Sequence, residues 1–229
     1  MKESLEQYIK DSHARVLNEQ KEFTIFNNVP VYLNEDLPEN VDIRVVLNTI
    51  SEAIPVHLTN NIDSIQIGHI EQFTRKETNA LYKEGTMYVT SYQDNNEDMI
   101  DDIVHEVAHA TEELFTRDIY KDKKVENEFL GKRTRLYSLM RAEGIKVYES
   151  SFLETRYSKE FDYFLYKEVG YERLGNIATG LFNSPYAITS LREYFATGFE
   201  EYYIGDRNYL KKISPDLYNK LIYLDGLKY

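Results

Sequence analysis

Asp94-Asn95-Asn96-Glu97-Asp98 leads through an apolar ladder into His105-Glu106-Val107-Ala108-His109, and this stretch organises the reading of the chain. Ile100, Ile103, Val107, Ala110 and Leu114 recur at helical spacing, which predicts a helix with one buried stripe and Asn95 or Asn96 as its N-cap. Glu97 and Asp98 then occupy the first turn, where the positive end of the helix dipole favours carboxylates. Residues four apart share a helix face, so the two imidazoles converge on one point with Glu106 on the same turn. That is the geometry of a zinc site with a general base beside it. The acidic run from 94 to 102 is read as helix-start chemistry and solvated surface rather than as a second metal site.

Outward from this helix, the preceding segments alternate at strand period. Residues 62 to 68 place Ile65 and Ile67 on one side. Residues 80 to 82 and 86 to 91, joined through Lys83-Glu84-Gly85, predict a hairpin whose second arm leads directly into the helix. An edge strand there could receive an extended peptide by main-chain hydrogen bonds, although an ordinary sheet edge reads the same way. Earlier still, Val29-Pro30-Val31-Tyr32-Leu33 predicts a short strand kept near an edge by its proline. Residues 41 to 54 predict an amphipathic helix ended by Pro55, and 3 to 21 a polar helix or arm. After the motif the chain is expected to be mainly helical, over 124 to 142, 157 to 173, 190 to 204 and 215 to 224.

The chain has 229 residues and no Gly/Ser/Pro-rich linker. The expected organisation is an N-terminal arm (1–22) and a single domain (23–229), with a sheet-containing lobe to 116 and a helical lobe from 117. The fold class expected is α+β, with a small mixed sheet, an edge strand above the HExxH helix and a helical C-terminal half. A net charge of -12, with 39 Asp and Glu against 27 Lys and Arg, argues against nucleic acid or an anionic membrane as the main partner and is compatible with solubility and with basic substrates. No cysteine is present, which removes disulfides and thiolate ligands. No signal-like apolar segment or membrane-length run is seen, so a cytoplasmic location is expected.

Two imidazoles leave a catalytic zinc one protein ligand short. A third histidine six residues on is ruled out, since position 115 is Phe and no histidine follows His109. A carboxylate remains, and Glu193 is the best placed, on an amphipathic helix that follows the turn at Asn183-Ser184-Pro185. Ser190-Leu191-Arg192-Glu193 also matches a capping box, in which Glu193 folds back on its own helix start. Tyr186, one of twenty tyrosines, reads on its own as a packing residue.

HEVAH, together with Arg192-Glu193-Tyr194-Phe195-Ala196-Thr197-Gly198-Phe199-Glu200-Glu201-Tyr202-Tyr203 and Tyr186 seven residues before Glu193, resembles the peptidase domain of the anthrax-toxin lethal factor family. That family also includes clostridial Pro-Pro endopeptidases. The likeness covers roughly 97 to 116 and 186 to 225 and is absent from 1 to 55. It implies a zincin-like fold of the gluzincin type, with one zinc ion held by His105, His109 and Glu193. It further implies Glu106 as catalytic base and Tyr186 as the hydroxyl that stabilises the oxyanion. Two departures stand out: Thr197 occupies the place of the family's second glutamate, and the interval from His109 to Glu193 is long. The expected function is a zinc metallopeptidase acting as an endopeptidase. The rival, suggested by Thr197, is an inactive peptidase-like binding or structural module that keeps the metal.

Overall fold

The computed structural model describes residues 21–69 and 79–227. The arm expected up to residue 22 lies outside them except at its end, where Lys21 begins a strand. The described residues form a mixed α+β chain in two compact units, 21–52 with 62–106, and 53–61 with 107–227. The division falls between Glu106 and Val107, inside a helix, where the sequence suggested 116/117.

The first unit carries a five-stranded sheet in the order β1-β2-β3-β5-β4, from β1 (Lys21–Ile25), β2 (Val29–Leu33), β3 (Ser64–Ile67), β4 (Ala80–Lys83) and β5 (Thr86–Val89). The inner pairs β2/β3 and β3/β5 are parallel and the outer pairs antiparallel. Alternation aligns two buried rows across the strands, Val31-Ile65-Met87-Tyr82 and Leu33-Ile67-Val89-Ala80. Helix α1 (Ile43–Ala53) makes the crossover between the parallel strands β2 and β3 and buries Ile43, Val46, Leu47 and Ile50. The β4–β5 turn needs positive φ at Glu84 (49°) and Gly85 (82°). A side chain at Gly85 would also collide with Asp63, whose Oδ2 lies 2.2 Å from an added Cβ.

Two strand expectations are corrected here. β2 is interior, because β1, which sequence alternation did not reveal, takes the edge beside it. Pro30 is tolerated since the β3 ladder begins one residue later, at Val31↔Ile65. β5, the strand that leads into the motif helix, is also interior, and β4 is the outer arm of the hairpin.

Helix α2 (Asn96–Tyr120) carries the motif. Asn95 caps it, its side-chain oxygen accepting from the Asp98 N–H at 2.9 Å. Ile100, Ile103, Val107 and Ala110 are buried as expected, but Leu114 is 41 % exposed. Phe115, where the backbone leaves helical geometry (φ -110°, ψ 19°), is buried in its place.

The second unit is helical. In α3 (Lys124–Ala142), Val125, Phe129, Leu136 and Met140 point inward. It packs against α4 (Glu149–Leu153), α6 (Tyr171–Ala178), α7 (Leu191–Tyr203) and α9 (Pro215–Asp225). The helix expected over 157 to 173 is broken. Ser158 caps a short α5 (Lys159–Tyr163), a wider turn follows over Phe164–Val169, and Gly170 at φ 83° redirects the chain into α6. α7 is buried almost all round, including the side where Glu193 and Thr197 stand. Gly198 lets it approach α9, since an added Cβ would meet Leu217 Cδ2 at 2.3 Å. α8 (Arg207–Ile213) completes the unit. Among the described residues no helix is long and apolar enough to cross a membrane.

Candidate metal centre

The i, i+4 spacing on α2 sets His105 and His109 on one face, and Glu193 joins them from the first turn of α7. One donor atom from each of the three lies within 4.8 Å of the others, so this group can hold a metal ion. Nε2 of His109 stands 3.5 Å from Oε2 of Glu193. His109 and Glu193 are buried and His105 is half-buried. The Glu193 backbone takes part in a cap, Ser190 Oγ accepting from its N–H at 3.2 Å, and the Glu193 carboxylate faces His109.

Glu106 is buried on the same turn of α2, and its Oε2 accepts the N–H of Tyr82 on β4 at 2.5 Å. Tyr82 stands opposite Met87, and alternation from the bonded pair Asn79/Thr90 makes theirs a non-hydrogen-bonded pair, so the Tyr82 amide points off the outer edge of the sheet. One oxygen of the carboxylate is thereby fixed by a main-chain donor.

Tyr186 opens a short 3-10 turn (Tyr186–Ile188) just ahead of α7 and is 39 % exposed. Desolvation of its hydroxyl, followed by the nearby Glu193 carboxylate, pushes its ionisation well above the usual tyrosine range. It therefore stays a proton donor at any physiological pH. Asp162, which also acts on Tyr186, accepts the hydroxyls of Tyr157 (2.7 Å) and Tyr171 (3.2 Å). Burial and that same Asp162 push Tyr157 up to about 12.

No family model, curated protein or solved structure matches this chain.

Thr197 does not do the work of a carboxylate there. Its hydroxyl bonds back to the Glu193 carbonyl (2.9 Å) and to Asn183 Oδ1 (3.3 Å), and Asn183 returns a bond to the Thr197 carbonyl (2.7 Å). Three residues beside the centre escaped the sequence reading. Arg192 Nε donates to His109 Nδ1 at 3.0 Å. Glu112 Oε2 lies 4.0 Å from the same nitrogen, and Tyr120 donates its hydroxyl to Glu112 Oε1. Burial raises the Glu112 pKa, and Glu193 adds to this, while Tyr120 and Arg192 oppose it. The available signal was position: Glu112 stands three residues after His109 on one helix face, and Arg192 directly precedes Glu193. His57 is structural: its Nε2 meets the Leu224 carbonyl at 2.8 Å.

Proposed function

We propose that the chain is a zinc-dependent endopeptidase, zincin-like in fold and of gluzincin type, similar in its site to the lethal factor family. The observation that carries this reading is the convergence of His105, His109 and Glu193 within 4.8 Å, with Glu106 on the turn between the two histidines. Two imidazoles and one carboxylate form a donor set suited to a catalytic zinc with an open position. Zinc there supplies Lewis acidity, polarising a carbonyl and bringing the ionisation of a water close to neutrality.

The remaining work belongs to the chain. Glu106, with Oε2 held by the Tyr82 amide, takes the proton of the attacking water at Oε1 and delivers it to the leaving amine. Tyr186, kept protonated by burial and by Glu193, donates its hydroxyl to the oxygen that gains negative charge. The outer edge of β4 offers main-chain groups beside Glu106, where an extended peptide can lie as an added strand. A peptide or protein substrate follows from that edge.

The test is Glu106→Gln. Hydrolysis of a peptide library is expected to fall about a thousandfold with zinc content unchanged. Equal cleavage by wild type and variant ends the proposal, and stoichiometric zinc with no turnover on any peptide favours the inactive-module reading instead.

A further inference from the structure

A metal-bound imidazole ordinarily donates its second N–H to an acceptor that fixes its tautomer and direction. Thr197, standing where the resembling family has a carboxylate, spends its hydroxyl on its own helix and on Asn183. We infer that Glu112 is the positioning carboxylate of the centre, accepting the Nδ1 proton of His109 when metal is bound. The inference rests on the metal reading of His105, His109 and Glu193.

Nε2 is the His109 nitrogen that faces Glu193, at 3.5 Å, so Nε2 must offer its lone pair to a metal and the ring proton must then sit on Nδ1. The contact with Arg192 fits the opposite tautomer. Arg192 Nε donates to Nδ1 at 3.0 Å, which requires a lone pair there and puts the hydrogen on Nε2. The two states exclude each other, because a guanidinium N–H cannot face a ring N–H. A hydrogen on Nδ1 therefore requires Arg192 to stand off the ring and another group to serve as its acceptor.

Glu112 is built to be that acceptor. Its Oε2 lies 4.0 Å from His109 Nδ1 and 3.8 Å from Arg192 Nε, so a shift of about 1 Å makes either hydrogen bond. The same carboxylate can take the ring proton and keep the displaced guanidinium. Its other oxygen is held by the Tyr120 hydroxyl, and its side chain is only 14 % exposed, which limits the directions it can turn. Glu113, its neighbour, is exposed and serves as the control.

Zinc affinity of the metal-stripped full chain, measured by competition with a chromophoric chelator, tests this. Glu112→Ala is expected to weaken zinc binding about 10–100-fold. Glu112→Gln, which keeps a carbonyl acceptor without the charge, should weaken it less, and Glu113→Gln should leave it unchanged. In the zinc-loaded protein the His109 Nδ1–H proton should give a protected downfield NMR signal, shifted in Glu112→Gln. Should Glu112→Ala fail to fold, the Gln variant decides. Wild-type affinity together with an unshifted Nδ1–H signal overturns the inference, as does a wild-type chain that takes up no zinc. A zinc-loaded wild type that cleaves nothing removes the peptidase reading alone, since the affinity difference does not depend on turnover.

Discussion

Lys132 and Arg133 on α3 are buried as deeply as His109 and Glu193, at 8 % and 1 % exposure against 6 % and 8 %. Their surroundings differ in kind. Lys132 Nζ donates to Ser214 Oγ at 2.5 Å and lies 4.8 Å from the centre of the Tyr194 ring. Arg133 donates to the carbonyls of Glu154 and Ser151 and sits 4.4 Å from the Phe161 ring centre. Neutral oxygens and aromatic faces thus contact each cation from several sides, which offsets part of the cost of burying the charge without any ligand. Around His109 the elements are reversed: ring nitrogens of two imidazoles and a carboxylate oxygen lie within 4.8 Å of one another, with the Glu112 carboxylate close behind. Such a donor set can hold a metal ion. A cavity of about 630 Å³ bounded in part by Arg133, Phe152 and Phe161 contains none of the metal donors, so donor chemistry marks the candidate site where hollow volume does not.

The contrast can be broken by substitution on either side. Arg133→Ala strips two carbonyls of their donor and leaves a void among the Phe rings. It should cost about 3 kcal/mol or more in denaturant unfolding, with or without zinc. A loss below about 1 kcal/mol would mean that α3 does not depend on its buried cation.

Lys132 should write a pH dependence on stability. Burial lowers its pKa from 10.5 to about 8, with Glu128 opposing. The unfolded chain then holds the proton over a range where the folded chain has released it, so stability rises with pH from about 8 towards 10. The gain is about 2–3 kcal/mol, and Lys132→Met should abolish it. Above pH 10 the trend turns down, because Tyr194 and Tyr203, held above the ordinary tyrosine range chiefly by burial, ionise first in the unfolded state.

The smallest effect is expected at the centre itself. Glu193→Gln in metal-free protein removes one of two neighbouring buried carboxylates and should change stability by about 1 kcal/mol or less, in the stabilising direction. With zinc at a thousand times its Kd, wild type should gain about 4 kcal/mol that the variant largely lacks. A large loss in the metal-free variant would make Glu193 a structural residue like Arg133.

Residues whose placement is set within one element were legible in the sequence. His105, Glu106 and His109 follow from helical spacing, and the β4–β5 hairpin and α3 from alternation and period. Glu193 needed the family resemblance, because its capping bond and its approach to His109 involve different atoms of one residue, and the local pattern reveals only the first. What was lost depended on partners distant in the chain. Pro30 argues for an edge until β1 is known to lie beside it, and 157 to 173 reads as one helix until the Ser158 cap and the Gly170 turn divide it. Leu114 kept the period of α2 but lost its buried place to Phe115, since a break in helical geometry cannot be read from spacing.

The bond from the Tyr82 amide to Glu106 governs how the proposed base can be studied. Tyr82 is buried, so a substitution that deletes its acceptor disturbs the outer strand of the sheet as well as the chemistry. Alanine at 106 would combine a strand defect of about 1–3 kcal/mol with any catalytic one, and would leave an outward amide inviting contact with another chain's strand. Glutamine retains an oxygen for that amide and removes only the basicity. An inactive protein for trapping bound peptides should therefore carry glutamine, and a difference in solubility between the two variants would measure what the carboxylate does for the sheet.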